Sequence, residues 1–455
     1  MRVLGLEVEG LFGLWDHRFE LDRDEHVTII YGRNGVGKTT LLRLVQAFID
    51  RNWWYVADTR FDRLSVVSDD NRRLCVRRSR FDQVPDADRQ SCIELTLSFE
   101  ESDNVLERDI IRLDPPPSLV EEITELAESS GLQLRREGPI HWVDPANGRV
   151  WFYGDILAEL GAWEITYPHR DAADRPWLAD AVGGLRAHYL GPDRVLGASP
   201  WYHDKPERVR SFRTAEGWAS EIRERLVSAR AAYAKHAQEL DATFPSRVLE
   251  AMSATTARPA SLSALLDLMD GVNRRRNRLA EVGLLEATTS DLAGDLSWVQ
   301  SDAGALALLN VYLSDALDKL DCVADLDAAL SGLVEQVNER LIRSRLAIDR
   351  DRGLSIVNQA GVRIPPGRLS SGEQHMLVMM AELYLRAQPG DLLLIDEPEL
   401  SQHVEWQKAF VEHLIGHAQA LRFDAIVATH SPDIVQGHRA LLRGLGESPE
   451  TDSDA

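Results

Sequence analysis

The sequence predicts an α/β protein in which a mixed sheet with flanking helices and a β-rich lobe is split by an inserted, largely helical lobe. Three observations predict it. The glycine-rich stretch Gly32-Arg33-Asn34-Gly35-Val36-Gly37-Lys38-Thr39 lies between an apolar strand pattern and a helical one. The apolar run Leu392 to Ile395 ends in Asp396 and Glu397, as a parallel strand buried on both faces does. Between them, residues 205–345 carry long helical patterns.

Taken in order, Leu4, Leu6 and Val8 alternate with polar or small residues, and Phe19 and Leu21 do so again. Val27 to Tyr31 reads as a short buried strand. A helix follows from Thr39, with Leu41, Leu42, Leu44, Val45 and Phe48 at helical spacing. Residues 60–113 supply further strands, Leu74 to Arg78 and Ile93 to Phe99 among them, separated by Asp, Asn and Pro. Pro115 to Pro117 break the pattern. Residues 118–190 then read as mixed: a helix at Val120 to Ser129, a hairpin through Asn147-Gly148, and a strand at Ala187 to Leu190.

Trp218, Ile222, Leu226, Ala229, Tyr233, Leu240 and Phe244 follow a near-heptad spacing, and Leu313, Leu317, Leu320, Leu326, Leu330, Leu333 and Val337 repeat it. The prediction is two helices, Thr214 to Phe244 and Leu309 to Leu341, each about 45 Å long at a rise of about 1.5 Å per residue. That length suits a compact lobe or a short antiparallel arm. Strands return at Leu354 to Val357 and Val362 to Ile364, followed by a helix at His375 to Leu385 and a final strand at Ala425 to Thr429. No internal repeat is visible.

With 455 residues, two compact units are expected. Lys+Arg 51 against Asp+Glu 73 gives a net charge of −22, which argues against coating nucleic acid or an anionic membrane through the overall field. No apolar run reaches the roughly 18 residues of a membrane span, so a cytoplasmic protein is expected, with no membrane contact. Cys75, Cys92 and Cys322 are far apart and odd in number. They read as small, partly buried side chains.

Four motifs carry chemistry. In the GxxxxGK[ST] loop, glycines let backbone N–H groups face phosphates, and the helix start adds its positive end. Lys38 is placed to reach β- and γ-phosphates, and the Thr39 hydroxyl to ligate Mg²⁺. In Leu392-Leu393-Leu394-Ile395-Asp396-Glu397-Pro398 the strand delivers two carboxylates to the carboxyl edge of a sheet, where open α/β folds bind ligands. There Asp396 would hold Mg²⁺ in its outer shell and Glu397 would orient and deprotonate a water. Leu369-Ser370-Ser371-Gly372-Glu373-Gln374 opens a helix and forms a second anion site. In Thr429-His430-Ser431-Pro432, a histidine at the end of the last strand reads as functional, where a lone one would read as structural.

The order GRNGVGKT, LSSGEQ, LLLIDEPELS and THSP resembles the P-loop ABC-type ATPase head. Lys38 and Ser370 are 332 residues apart, and that wide separation resembles the Rad50, RecF, SMC and OLD-like branch. The N-terminal pattern is similar to bacterial AAA-annotated ATPases of the OLD-like group, many tied to phage defence beside an effector nuclease. The motif-bearing resemblance covers about residues 1–50 and 350–440. It implies that two protomers sandwich two ATP molecules with Mg²⁺. Gly32, Arg33, Asn34, Gly35, Val36, Gly37, Lys38, Thr39 and Thr40 would hold the nucleotide, and Thr39 and Asp396 the metal. Glu397 would be the general base and His430 the γ-phosphate contact. Ser370, Ser371, Gly372 and Glu373 would complete the partner's site in trans, with Glu399-Leu400-Ser401 coupling the two sites. The family's Q-loop glutamine has no match: the segment Tyr189 to Arg194 offers Asp193, and Gln83 is the alternative.

This reading assigns residues 1–113 and 346–445 to a head assembled from both chain ends, 114–204 to a mixed α/β insertion, 205–345 to a helical lobe, and 446–455 to a disordered acidic tail. A homodimer or higher homo-oligomer is expected. No Toprim domain is expected after the head, so an effector nuclease would act in trans. A DNA repair ATPase and a mainly non-hydrolysing ATP-bound scaffold are the competing uses. Arg72, Arg73, Arg77, Arg78 and Arg80, with Arg274, Arg275, Arg276 and Arg278, read first as solvated or paired faces and second as DNA contacts. Trp53, Trp54, Trp151 and Trp163 read as core or subunit contacts.

Overall fold

The structure is a computed structural model. It describes residues 2–70, 72–78, 93–102, 104–113, 121, 134–136, 141–145, 150–152, 176–182, 184–191, 214–253, 261–285, 299, 302–400 and 402–445. The chain divides into two compact units, residues 1–209 with 387–455, and residues 210–386.

The chain enters the first unit through β1 (Val3–Leu11), β2 (Trp15–Glu20) and β3 (Val27–Tyr31), then helix α1 (Lys38–Ile49) and the short α2 (Trp53–Asp58). β4 (Arg63–Ser68), β5 (Arg72–Arg78), β6 (Ile93–Glu101) and β7 (Asn104–Leu113) follow. Among the described residues these make an antiparallel sheet in the order β2-β1-β4-β5-β6-β7, the β-rich lobe expected from residues 60–113. Next come β8 (Arg135–Arg136), β9 (His141–Val143), β10 (Val150–Phe152), α3 (Pro176–Val182) and β11 (Ala187–Leu190). β9 and β10 pair antiparallel. The turn expected between them and the helix expected at 120–129 lie outside the described residues, apart from residue 121.

In the second unit the chain forms α4 (Ala215–Ser253), α5 (Leu262–Glu281), α6 (Ala303–Asp321) and α7 (Ala324–Asn338). An antiparallel hairpin of β12 (Ser344–Asp349) and β13 (Gly353–Asn358) carries the short β14 (Arg363–Ile364), and α8 (Ser371–Arg386) closes the unit. Two differences from the expected helices have local causes. The helix expected over 309–341 is two helices, because Val323 leaves helical backbone (φ −119, ψ 7) between them. The bend lets α6 bury Leu313 and Leu320 against α4 and α5, while α7 buries Leu330 and Leu333 on the side of α8. α4 continues to Ser253 through Pro245. Residues 346–386, assigned from sequence to the head, pack in this unit: β13 lies on α4, and a Cβ added at Gly353 (φ +76) would stand 1.9 Å from the Ala219 carbonyl oxygen.

Back in the first unit, β15 (Leu392–Asp396), α9 (Val404–Leu421), β16 (Asp424–Thr429), α10 (Pro432–Val435) and β17 (Leu442–Gly444) complete a second sheet. Its order is β11-β15-β16-β3-β17, and every adjacent pair is parallel. Every residue of β15 and β16 is buried, which explains the apolar runs Leu392 to Ile395 and Ala425 to Ala428 at their centres. α1 contributes Leu41, Leu42, Leu44, Val45 and Phe48 to one core shared with Leu6, Val8 and Leu11 of β1 and with Trp53 and Trp54. Each large apolar side chain so buried contributes about 1.5–3 kcal/mol. Cys75 is buried, but Cys322, the C-cap residue of α6, is exposed, contrary to expectation. No helix among the described residues is long and apolar enough to cross a membrane.

Candidate functional site

Three neighbouring parallel strands, β15, β16 and β3, end side by side, with Asp396 paired to Ala428 and Thr429 to Tyr31. The loops leaving these ends bring together three of the four predicted motifs.

The glycine-rich loop runs from β3 to α1. Gly35 and Gly37 both have φ +88, a left-handed backbone that glycine adopts without strain. Gly37 is doubly constrained, since a Cβ there would lie 2.6 Å from Leu11 Cδ2. Arg33, Asn34 and Gly35 are exposed, while buried Val36 anchors the loop and its carbonyl accepts a bond from His17 Nε2 at 2.9 Å. Lys38 is buried and its ammonium curls into the loop, donating to the carbonyls of Gly32 (2.7 Å) and Arg33 (3.2 Å). Thr39 and Thr40 are half-buried on the first turn of α1.

Asp396 is fully buried, and its Oδ2 accepts the Tyr189 hydroxyl at 2.8 Å. Glu397 turns out of the strand with φ +46. A non-glycine residue held there stores roughly 1–3 kcal/mol of strain, a cost that clusters at functional sites. Burial first, and then the neighbouring Asp396 charge, push the Glu397 carboxyl above the ordinary carboxylate range, with His430 and Lys38 opposing the shift. His430 is half-exposed, its Nδ1 3.8 Å from Glu397 Oε1 and 3.3 Å from Glu399 Oε1.

Ser370, Ser371, Gly372 and Glu373 belong to the other unit. α8 begins at Ser371, earlier than the predicted His375, because Ser370 caps it. The Ser370 N–H and hydroxyl donate to Glu373 Oε2 (2.9 and 2.6 Å), and the Glu373 N–H reaches back to Ser370 Oγ (3.4 Å). This reciprocal arrangement is a capping box. Asp193, Gln83 and Ser401 lie outside the described residues.

The arginine clusters are in part paired within the fold. Arg72 pairs with Glu101 at 3.1 Å, Arg275 with Asp321 at 2.8 Å, and Arg278 with buried Asp327. Arg80 lies outside the described residues.

Sequence reasoning missed two participants, Tyr189 and the anchoring role of Glu399. The usable signal for Tyr189 was an aromatic hydroxyl near the end of a strand pattern, just before Gly191-Pro192. For Glu399 it was a carboxylate three residues beyond Asp396 on a chain turning back across the sheet edge.

The oxygen donors of Thr39 and Asp396 suit a hard cation such as Mg²⁺. The loop's left-handed glycines and the start of α1 suit a polyphosphate. The described residues contain no cluster of three or more His, Cys, Asp or Glu that could hold a metal ion.

Residues 300–436 match the family described as "AAA domain, putative AbiEii toxin, Type IV TA system". Among solved structures, the chain is similar to the Smc head domain with an extended coiled coil bound to the C-terminal domain of ScpA from Pyrococcus furiosus. The identity is 13%, the match covers 97% of this chain and 93% of that one, and the TM-score is 0.34. For the Smc head domain with a coiled coil and joint from Pyrococcus yayanosii the identity is 13%, the coverage 97% and 94%, and the TM-score 0.32. No curated protein matches the chain.

Proposed function

We propose that this chain is an ATP-binding and ATP-hydrolysing ABC-type ATPase that works as a nucleotide-sandwiched dimer. The observation that carries the reading is the convergence of the Lys38 loop, Asp396-Glu397 and His430 at the ends of three adjacent parallel strands.

The N–H groups of Gly32 to Thr40 and the Lys38 ammonium bind the phosphates of ATP, Lys38 giving up its contacts to the Gly32 and Arg33 carbonyls as it does so. Thr39 and Asp396 would hold Mg²⁺, whose charge would offset that of the β- and γ-phosphates. Glu397 takes a proton from the water that attacks the γ-phosphorus; the bond to the bridging oxygen breaks and ADP leaves with that electron pair. Its raised affinity for protons suits it to this role. His430, backed by Glu399, donates to the γ-phosphate. Ser370 to Glu373 of a second protomer complete the site, so ATP bridges the halves and hydrolysis releases them.

The biological use we assign is a sensor or scaffold subunit of a phage-defence system, acting with a separate effector nuclease. Support comes from the partial match to a family described with a toxin of a toxin–antitoxin system. The internal pairing of Arg72, Arg275 and Arg278 favours a protein partner over a general DNA surface.

The test is ATP turnover by the purified chain, alone, with DNA, and with a nuclease encoded beside it. Turnover that requires Lys38 and responds to the nuclease is expected. Stimulation by DNA alone would favour a repair-type ATPase, and bound but unhydrolysed ATP a scaffold.

A further inference from the structure

We propose that Tyr189 is a positioning residue that fixes the Asp396 carboxylate for Mg²⁺–ATP. The proposal rests on the ATPase reading above and deepens it. β11 runs parallel to β15 with Tyr189 opposite Leu394 and Leu190 opposite Ile395. From there the tyrosine side chain reaches forward to Asp396, its hydroxyl donating to Oδ2 at 2.8 Å.

Two further contacts fix the ring. The guanidinium of Arg43, on the helix that begins at Lys38, lies 5.1 Å from the Tyr189 ring centroid, a cation–π distance. On another side Gly191 lies close enough that a Cβ added there would stand 2.5 Å from Tyr189 Cε1 and 2.8 Å from its hydroxyl, and the ring would have to shift. One side chain therefore touches both the phosphate-loop helix and the metal-binding carboxylate.

A buried aspartate can rotate its carboxyl group unless something holds it. A hydroxyl donating to one oxygen is a strong, charge-assisted bond that sets the rotamer of the carboxyl group. Partners of this kind, which touch the metal only through another residue, typically change metal affinity about 10–100-fold when removed.

Tyr189→Phe keeps the ring and removes the hydroxyl with its bonds to Asp396 and Arg43. Binding of a fluorescent ATP analogue to the full chain is titrated with Mg²⁺, and separately in EDTA. The expected result is unchanged nucleotide affinity in EDTA and a rise of about tenfold in the Mg²⁺ concentration that half-saturates the metal-dependent tightening. Gly191→Ala, which keeps the hydroxyl but displaces it, should shift the Mg²⁺ midpoint in the same direction. In an Asp396→Asn background Tyr189→Phe should have no further effect, whereas additive effects would show the two residues acting independently.

A wild-type Mg²⁺ profile for Tyr189→Phe, in a protein with unaltered circular dichroism, overturns the proposal. Failure of the wild type to bind the analogue in a Lys38-dependent way overturns the ATPase reading, and this proposal falls with it.

Discussion

The Thr429 hydroxyl donates to Glu399 Oε1 at 2.7 Å, and the backbone N–H of the next residue, His430, donates to the same oxygen at 3.1 Å. Glu399 is buried. One carboxylate oxygen therefore fixes both the end of β16 and the histidine that leaves it. Thr429→Val keeps the shape and removes the hydroxyl, so a buried carboxylate loses a donor. The expected destabilisation is about 1–3 kcal/mol, read as a lower urea midpoint with an unchanged slope.

Glu397→Gln keeps the side-chain volume and removes the proton acceptor. Retained ATP, a dimer that persists on gel filtration, and turnover lower by about 10²–10⁴-fold are expected. Full turnover in this variant would sink the assignment of Glu397 as general base.

The same carboxyl gives a pH prediction with a definite sign. Its proton affinity is raised in the folded chain, chiefly by burial and then by Asp396. Folding therefore favours the protonated form. The stabilising contribution is complete below the ordinary glutamate range and is lost as pH rises through the raised value. At neutral pH, where the ionised form is destabilising, Glu397→Gln should raise the melting temperature, with a smaller gain at acidic pH. In the wild type, turnover should fall on acidification at a higher pH than an unperturbed carboxylate would give. A pH–rate profile and paired melting curves check both.

Lys38→Ala removes the cation that curls into the glycine-rich loop. Calorimetry should detect no ATP binding at concentrations that saturate the wild type; equal affinity would contradict the role of the loop.

Gly353→Ala tests the second unit. The added methyl would stand 1.9 Å from the Ala219 carbonyl oxygen and 2.8 Å from the Arg223 nitrogen, at a backbone φ of +76. Backbone atoms cannot step aside as a flexible side chain can, so a loss of about 1–3 kcal/mol or more is expected, seen as a lower thermal midpoint.

The site was legible wherever its signals were local. Gly32 to Thr39 and Leu392 to Glu397 each pack strand, turn and reactive group into a few consecutive residues, so pattern and chemistry could be read together. The helical lobe was legible in kind but not in its breaks. The leucine spacing from Leu313 to Val337 runs straight through Val323, and only packing on two different neighbours makes the chain bend there. α8 starts at Ser371, one turn before His375, because the side-chain bonds between Ser370 and Glu373 that close its first turn leave no mark in the apolar spacing. Tyr189 was beyond reach for a different reason. Its partner is 207 residues away, and nothing near either residue announces that their strands are neighbours.

The strand order β16-β3-β17 has a consequence for synthesis. β3 emerges from the ribosome early, yet both strands that flank it, at Asp424–Thr429 and Leu442–Gly444, are among the last described residues to be made. Such distant pairing is slow, because the entropy of closing a long loop is spent before any contact compensates it. The glycine-rich loop thus hangs from an unpaired strand until residues 424–444 have been made, and the candidate site is assembled only when those closing strands arrive.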